Sequence, residues 1–167
     1  VRSKPGIGTV FSVSVPQAKS EIETIAAAPK PQKSVSSAVA GLKVLVTDNE
    51  PAILSGMQSL LSGWGCIVAA AGDVKGAIDA LARDRTAPDL IIADFHLRDD
   101  LDGLSLISRL RDDAGTFVPA ILITADRSRS VIERARALDV IYIPKPVKPA
   151  ALRTAMAHAV RRQQAAE

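Results

Sequence analysis

The sequence predicts a doubly wound α/β fold in which a five-stranded parallel sheet carries helices on both faces. Within residues 42–162, five short runs of Val, Ile, Leu and Ala alternate with stretches of helical periodicity. These runs are apolar along their whole length, which is typical of strands covered on both faces. Aromatic residues make up only 3% of the chain, so the core between sheet and helices must be aliphatic.

Strand and helix signals follow one another in a regular order. Helices are predicted from Pro51, a residue favoured in the first helical turn, and after Asp73, which can act as an N-cap. The predicted strands are Lys43–Thr47, Cys66–Ala71, Leu90–Ala93, Ala120–Ile123 and Val140–Ile143, and the later helices cover residues near 104–110, 131–138 and 150–162. In such a sheet the carboxyl ends of the strands meet at one edge, where ligands bind.

The sequence around this predicted domain has a different composition. Residues 17–41 are typical of a flexible linker, because Pro, Ser and Ala are frequent and no apolar periodicity is present. Ahead of the linker, within residues 1–16, the stretch from Gly6 to Pro16 begins as a glycine turn and ends as an alternating strand. This segment is too short to bury a core, so we expect its pairing partners to lie upstream of it. Residues 163–167 are predicted to form a tail.

Charge and hydropathy argue against two classes of partner. Residues 1–42 hold five basic and two acidic residues, whereas residues 43–167 hold sixteen of each. The predicted domain is therefore balanced in charge, and we expect no nucleic-acid partner. No apolar stretch approaches the roughly 20 residues needed to cross a bilayer, so we expect no membrane contact by this chain. The single cysteine, Cys66, is predicted to be buried, which is consistent with a cytoplasmic location.

Polar residues follow four of the predicted strands. These are Asp48, Asn49 and Glu50 after the first strand, Asp94 after the third, Thr124 after the fourth, and Lys145 just beyond the fifth. Closely packed carboxylates repel one another unless a lysine or a divalent cation neutralises them. Magnesium fits this set best, because the donors are hard oxygens and no His/Cys pairing suited to zinc is present.

The sequence blocks that carry these residues resemble the successive signatures of response-regulator receiver domains, which have a flavodoxin-like fold. The matching blocks are Val44–Pro51, Leu90–Leu97 with Asp102 and Gly103, Ile121–Ala125, and Tyr142–Pro146. The resemblance extends from residue 43 to about residue 160. It implies a phosphorelay function, in which Asp94 accepts a phosphoryl group from a phosphohistidine.

The same resemblance implies roles for the other residues. Magnesium would be held by Asp94, by the acidic pair that begins at Asp48, and by the backbone carbonyl of His96. Lys145 and Thr124 would contact the phosphoryl oxygens, and the peptide between Lys145 and Pro146 would be cis. Tyr142 would turn inward as a switch when Thr124 moves, changing the surface formed by the fourth helix, the fifth strand and the fifth helix of the domain.

The chain departs from the family at Asn49, where a second aspartate is commoner. An Asn side-chain oxygen can still bind magnesium but brings no charge, so we expect weaker metal affinity unless Glu50 compensates. The loop between Asp94 and Gly103 is about one residue longer than usual. Its three acids, Asp99, Asp100 and Asp102, are typical of turn residues rather than of metal ligands.

The N-terminal segment resembles the last glycine box and final strand of the ATP-binding domain of histidine kinases. The matching residues are Gly6, Gly8, Thr9, Phe11 and Pro16. Followed by a linker and a receiver, this order is that of a hybrid sensor histidine kinase. The partner is then expected to be a kinase dimerisation domain or a histidine-phosphotransfer protein, and a homodimer is possible. This chain itself would catalyse only its own phosphorylation and dephosphorylation.

Two alternatives remain open at this point. A degenerate receiver would bind partners without being phosphorylated, and Asn49 is the feature in its favour. An enzyme of similar topology is the second alternative. A flavodoxin would need a phosphate-binding loop rich in Ser, Thr and Gly after the first strand. A haloacid-dehalogenase-like enzyme would need a second aspartate two residues after Asp48, where Glu50 stands.

Overall fold

The computed structural model describes residues 1–6, 8–12, 38–84, 87–97 and 101–164. The chain divides into two compact units, Val1–Lys30 and Pro31–Glu167. Most of the predicted linker, residues 17–37, lies outside the described residues, as do residues 13–16 of the predicted kinase remnant and residues 165–167 of the predicted tail.

The smaller unit contains a short antiparallel hairpin. Strand β1 (Arg2–Lys4) pairs with strand β2 (Gly8–Val10), and Gly6 in the turn has a φ of 77°. Glycine adopts this left-handed conformation without the steric cost that a side chain would impose. The hydroxyls of Ser3 and Thr9 lie 2.8 Å apart across the strands. One pairing partner of the predicted strand is therefore β1, within this chain rather than upstream of it as expected.

The larger unit has the predicted five-stranded parallel sheet. Its strands are β3 (Lys43–Thr47), β4 (Ile67–Ala71), β5 (Leu90–Asp94), β6 (Ala120–Thr124) and β7 (Val140–Pro144), in the spatial order β4-β3-β5-β6-β7. The helices are α1 (Pro51–Gly63), α2 (Val74–Asp84), α3 (Gly103–Ala114), α4 (Arg129–Ala137) and α5 (Pro149–Gln164). This order confirms the doubly wound α/β fold.

Helices cover both faces of the sheet and create two aliphatic cores. One core joins Leu45, Ile91 and Leu122 of the sheet to apolar residues of α2, α3 and α4. The other joins alternate residues of the same strands, such as Val46 and Ile92, to α1 and α5. Because successive residues of a strand point to opposite faces, each strand contributes to both cores. This explains why the strands are apolar throughout.

The folded unit begins earlier in the sequence than expected. Val39 is fully buried in the core under α1 and α5, and its carbonyl oxygen accepts a hydrogen bond from the Cys66 thiol at 3.2 Å. The Gly41 N–H donates to the carbonyl oxygen of Gly65 at 2.8 Å. Residues 38–41 therefore pack against the domain, although their composition is that of a linker. Burial raises the pKa of Cys66, as expected for a thiol in an apolar core.

Element boundaries differ from the prediction by a few residues. Strands β5, β6 and β7 extend to Asp94, Thr124 and Pro144, and helix α5 continues to Gln164. Asp73 caps α2 as predicted, since its carboxylate accepts a hydrogen bond from the Gly76 N–H at 2.6 Å. In the part of the chain that the structure describes, the helices are too short or too polar to cross a membrane.

Candidate functional site

Two buried aspartates lie where the strand order of the sheet reverses. β3 lies between β4 and β5, so the connections from β3 and from β5 leave in opposite directions along the sheet. Asp48 directly follows β3 and Asp94 ends β5, and both are buried. Such a switch point opens a crevice at the carboxyl edge of a doubly wound sheet. The fold thus brings together two carboxylates that are distant in sequence.

Lys145 joins the two aspartates. Its Nζ donates to Asp48 Oδ2 at 3.1 Å and to Asp94 Oδ2 at 3.0 Å. The backbone N–H of Lys145 also donates to the carbonyl oxygen of Thr124 at 2.8 Å, which holds the loop after β7 against the end of β6. The peptide between Lys145 and Pro146 is cis, in agreement with the resemblance. The hydrogen bonds of Lys145 therefore fix its ammonium between the two carboxylates.

The electrostatics of this cluster favour the charged lysine. Partial burial lowers the pKa of Lys145, but the hydrogen bonds that it donates to Asp94 and Asp48 and the negative charges of those carboxylates outweigh burial, so its pKa lies above the usual value. Two carboxylates against one ammonium leave one excess negative charge. In addition, Asp94 Oδ1 is buried and accepts no hydrogen bond within the described part of the chain. The cluster therefore has both a charge and a lone pair available for a cation.

The donors present fit a hard divalent cation such as Mg²⁺. Asp94 Oδ1 is an unsatisfied carboxylate oxygen, Asp48 supplies a second carboxylate, and the half-buried Asn49 carries a neutral amide oxygen. Glu50 is exposed, and its N–H donates to Asp48 Oδ1 at 2.9 Å. Among the described residues, no group of three or more His, Cys, Asp or Glu side chains is arranged to hold a metal. A bound ion would thus depend on backbone carbonyl and water oxygens in addition to the carboxylates.

Thr124 and Tyr142 are linked through the loop after β6. The Thr124 hydroxyl is fully buried and accepts a hydrogen bond from the Asp126 N–H at 3.0 Å. The Tyr142 hydroxyl donates to the Asp126 carbonyl oxygen at 2.8 Å, and the half-buried ring packs against the core under α4. Asp126 was not singled out from the sequence, yet it contacts both predicted residues through its backbone. A loop residue that acts through main-chain atoms leaves no side-chain signal.

Gly103 allows α3 to begin directly beside Asp94. A Cβ atom at this position would lie only 2.0 Å from the carbonyl oxygen of Asp94, which is far too close for any side chain. The Gly103 N–H donates to the carbonyl oxygen of Phe95 at 2.9 Å. In the sequence, Gly103 stands out only as part of a motif, because this close approach depends on the tertiary structure.

Asp102 is the N-cap of α3 and not part of the acidic cluster. Its carboxylate accepts a hydrogen bond from the Ser105 N–H at 2.9 Å and pairs with Arg134 of α4 at 2.8 Å. Burial alone would raise the pKa of Asp102. The hydrogen bonds from Ser105 and Arg134 and the charge of Arg134 lower it by more, so the pKa lies below its usual value. This agrees with the expectation that Asp102 is a turn residue. Asp99 and Asp100 lie outside the described residues.

His96 has an exposed side chain. Its imidazole contacts the Phe95 ring edge to face, with the ring centroids 5.0 Å apart. The side chain thus packs along the surface of the loop after β5. Any contribution of His96 to the cluster would come from its backbone.

Comparisons with known proteins agree with this geometry. The response regulator receiver domain family matches residues 44–157. The two-component response regulator ARR2 of Arabidopsis thaliana is 29% identical over 74% of this chain, and the response regulator MprA of Mycolicibacterium vanbaalenii is 35% identical over 63% of it. The matched regions cover only 18% and 44% of those two proteins.

Solved structures give the same result for the fold. The signal receiver domain of an HD domain-containing protein from Pseudomonas fluorescens Pf-5 is 28% identical, with a TM-score of 0.66 over 75% of this chain and 98% of that one. A response regulator receiver domain protein from Clostridium thermocellum shares the fold at 22% identity, with a TM-score of 0.68 over 75% and 99% of the two chains. The chain therefore belongs to the response regulator receiver domain family.

Proposed function

We propose that Asp94 accepts a phosphoryl group from a phosphohistidine, as part of a two-component phosphorelay. The observation that carries this proposal is the cluster of Asp48, Asp94 and Lys145, in which Asp94 Oδ1 has no hydrogen-bond donor among the described residues. A free carboxylate oxygen beside a cation is what a phosphoryl acceptor requires. The membership of the chain in the receiver family supports the same role.

In the proposed transfer, a carboxylate oxygen of Asp94 attacks phosphorus in line with the bond to the histidine nitrogen. That P–N bond breaks, its electron pair stays on the imidazole, and an aspartyl phosphate forms. Lys145 then lies close enough to pair with a phosphoryl oxygen, and the Thr124 hydroxyl keeps its proton free to donate to another. Mg²⁺, when bound to Asp94, Asp48, the Asn49 amide oxygen and the His96 carbonyl, would neutralise negative charge on the phosphoryl oxygens.

Phosphorylation of Asp94 would also alter the surface around α4, β7 and α5. A phosphoryl group adds about two negative charges and draws the Thr124 hydroxyl towards it. The Thr124 hydroxyl accepts a hydrogen bond from the Asp126 N–H, and the Asp126 carbonyl oxygen accepts one from the Tyr142 hydroxyl. These two hydrogen bonds would transmit a movement of Thr124 to the tyrosine. Tyr142 is proposed as the switch residue on this basis.

The test is phosphorylation by acetyl phosphate in the presence of Mg²⁺. Peptide mass spectrometry should find the mass of one phosphoryl group on Asp94, and Asp94→Asn should prevent it. Asp79→Asn is the matched control, because Asp79 is an exposed aspartate on α2. If the native protein gained no mass, the degenerate receiver favoured by Asn49 would be the better interpretation. Equal labelling of Asp94→Asn would refute the assignment of the acceptor.

We further propose that this chain is part of a hybrid sensor histidine kinase and acts in the cytoplasm. The hairpin β1–β2 contains the glycines, Thr9 and Val10 of the segment that resembles the end of a kinase ATP-binding domain. A kinase dimerisation domain or a histidine-phosphotransfer protein would then be the phosphodonor. The sequence encoded upstream of Val1 tests this: it should contain a histidine-bearing helix pair and a nucleotide pocket, and their absence would refute the proposal.

A further inference from the structure

An apolar cleft of about 500 Å³ lies beside the aspartates, on the face of the sheet that carries α1 and α5. We call it the α1 cleft. Its apolar lining is formed by Ile53 and Met57 of α1, by Val46, Ile92 and Ile123 of the sheet, and by Pro146 and Val147 of the loop after β7. Small-molecule sites commonly occupy roughly 300–1,000 Å³, so this cleft is large enough for one.

Water is a poor occupant for most of this volume. Apart from Thr47 and the polar end of the cleft, the lining side chains are aliphatic and offer no hydrogen-bonding groups, whereas an ordered water needs two to four polar partners. Replacing such water by an apolar group removes hydrocarbon surface from contact with solvent, which is favourable. The α1 cleft therefore favours a ligand with an apolar body.

The polar end of the cleft selects the head group of that ligand. Asp48, Asp94 and Lys145 line this end and together carry one excess negative charge. Asp94 shares the face of β5 with Ile92, since alternate strand residues point the same way, and both line the cleft. Asp94 Oδ1 is buried without a donor in the described part of the chain. A cationic donor satisfies this oxygen, whereas a carboxylate head would be repelled.

We propose that the α1 cleft binds a small amphipathic cation, namely a primary amine on an apolar body. The ammonium pairs with Asp94 and Asp48, and the body lies between Ile53, Met57 and Val147. At about 30 Å³ for each water-sized group, the cleft has room for roughly 15 non-hydrogen atoms. This binding goes beyond phosphoryl acceptance. Because the amine and Mg²⁺ use the same oxygens, the ligand also slows phosphorylation.

The test is a series of alkylamines measured by isothermal titration calorimetry without divalent cations. From butylamine to octylamine, affinity should rise about fourfold for each methylene buried, and it should rise to the end of the series because the cleft is large enough for the whole octyl chain. Octanol and octanoate have the same apolar body as octylamine. Octanol should bind more weakly than octylamine, and octanoate more weakly than octanol. A series with no saturable binding, or octanoate binding as tightly as octylamine, would overturn the proposal.

Variants of the wall and of the head-group site locate the binding. Met57→Trp fills the cleft and should weaken octylamine binding at least about tenfold, which corresponds to about 1.4 kcal/mol. Gln58→Trp is the matched control, because Gln58 is the exposed neighbour on α1 and should leave affinity unchanged. Val147→Phe narrows the opposite wall and serves as the second test if Met57→Trp does not fold. Unchanged affinity in a folded wall variant would contradict the proposal.

Competition separates this inference from the proposed function. Added Mg²⁺ should weaken octylamine binding, and octylamine should slow labelling of Asp94 by acetyl phosphate in the native protein. Octylamine binding without any labelling would refute only phosphoryl acceptance. Labelling that proceeds at an unchanged rate in saturating octylamine would refute only the amine site.

Discussion

Gly103→Ala tests whether the position of Asp94 depends on the close approach of α3. The added Cβ would lie 2.0 Å from the Asp94 carbonyl oxygen, 2.9 Å from the carbonyl carbon and 3.3 Å from Leu122 Cδ1. Ordinary contacts begin at 3.4 Å, so the helix and the strand must separate by about 1.4 Å to accommodate the methyl group. The nearest atoms belong to the backbone, so a side-chain rotation does not relieve the clash.

The magnitude follows from two opposing effects. Overpacking typically costs about 1–3 kcal/mol. Alanine gains up to about 1 kcal/mol over glycine through its helix propensity, and less at the first position of a helix. Because the clash is with backbone atoms, the cost of overpacking lies at the upper end of its range, and we expect the free energy of unfolding to fall by about 2–3 kcal/mol. Since a displacement of about 1 Å at a reacting group can cost about a hundredfold in rate, phosphorylation of Asp94 should slow to a similar degree.

The assays are urea unfolding and the rate of labelling by acetyl phosphate. Gly56→Ala is the matched control, because Gly56 lies within α1 and a Cβ there meets no atom within 4 Å. That variant should be more stable by about 0.5–1 kcal/mol and should be labelled at the native rate. If Gly103→Ala matched the native protein in both stability and rate, the close approach would have no functional importance.

Three further predictions concern charge and capping. Lys145→Ala leaves Asp48 and Asp94 without their shared cation, so thermal unfolding should occur at a lower temperature, and Mg²⁺ should raise that temperature more than in the native protein. If Mg²⁺ raised the unfolding temperature of Lys145→Ala and of the native protein by the same amount, this prediction would be wrong. The raised pKa of Lys145 means that its contribution to stability is complete below the usual value of 10.5 and is lost as the pH rises through the higher folded-state value. Alkaline titration should therefore destabilise the native protein more than Lys145→Ala. Asp102→Ala should cost about 0.5–2 kcal/mol through loss of the α3 cap, whereas Asp102→Asn keeps the cap and should cost less; equal losses would point to the Arg134 ion pair instead.

Much of this fold was predictable because its strands are apolar on both faces. Leu45 packs into one core and Val46 into the other, so the β3 positions that pack into the two cores are apolar. This gives an uninterrupted hydrophobic run that is visible in the sequence. The proximity of Asp48 and Asp94 was predictable as well. They stand at the carboxyl ends of β3 and β5, and these ends meet at one edge of a parallel sheet. Lys145 was expected at the same edge because it lies just beyond the fifth strand, and its contacts with both aspartates agree with that expectation.

The features that sequence reasoning missed depend on tertiary contacts that leave no local pattern. Val39 belongs to a segment with linker composition, yet it is buried in the core and accepts a hydrogen bond from Cys66. Asp126 connects Thr124 and Tyr142 through backbone atoms, for which the identity of the side chain is irrelevant. The α1 cleft arises from the spacing between a helix and a loop, and residues such as Met57 would also suit a filled core. Such features require coordinates.

The hydrogen bonds of Thr124 explain how one residue can serve both proposed roles, phosphoryl contact and switching. A hydroxyl can accept and donate at the same time. The Thr124 hydroxyl accepts a hydrogen bond from the Asp126 N–H, and the Thr124 carbonyl oxygen accepts one from the Lys145 N–H. The loops after β6 and β7 therefore both constrain the position of Thr124. The O–H proton can therefore turn to a phosphoryl group without breaking either bond. Because those bonds persist, any displacement of Thr124 must carry Asp126 with it, and the Tyr142 hydroxyl must follow the Asp126 carbonyl or lose its hydrogen bond.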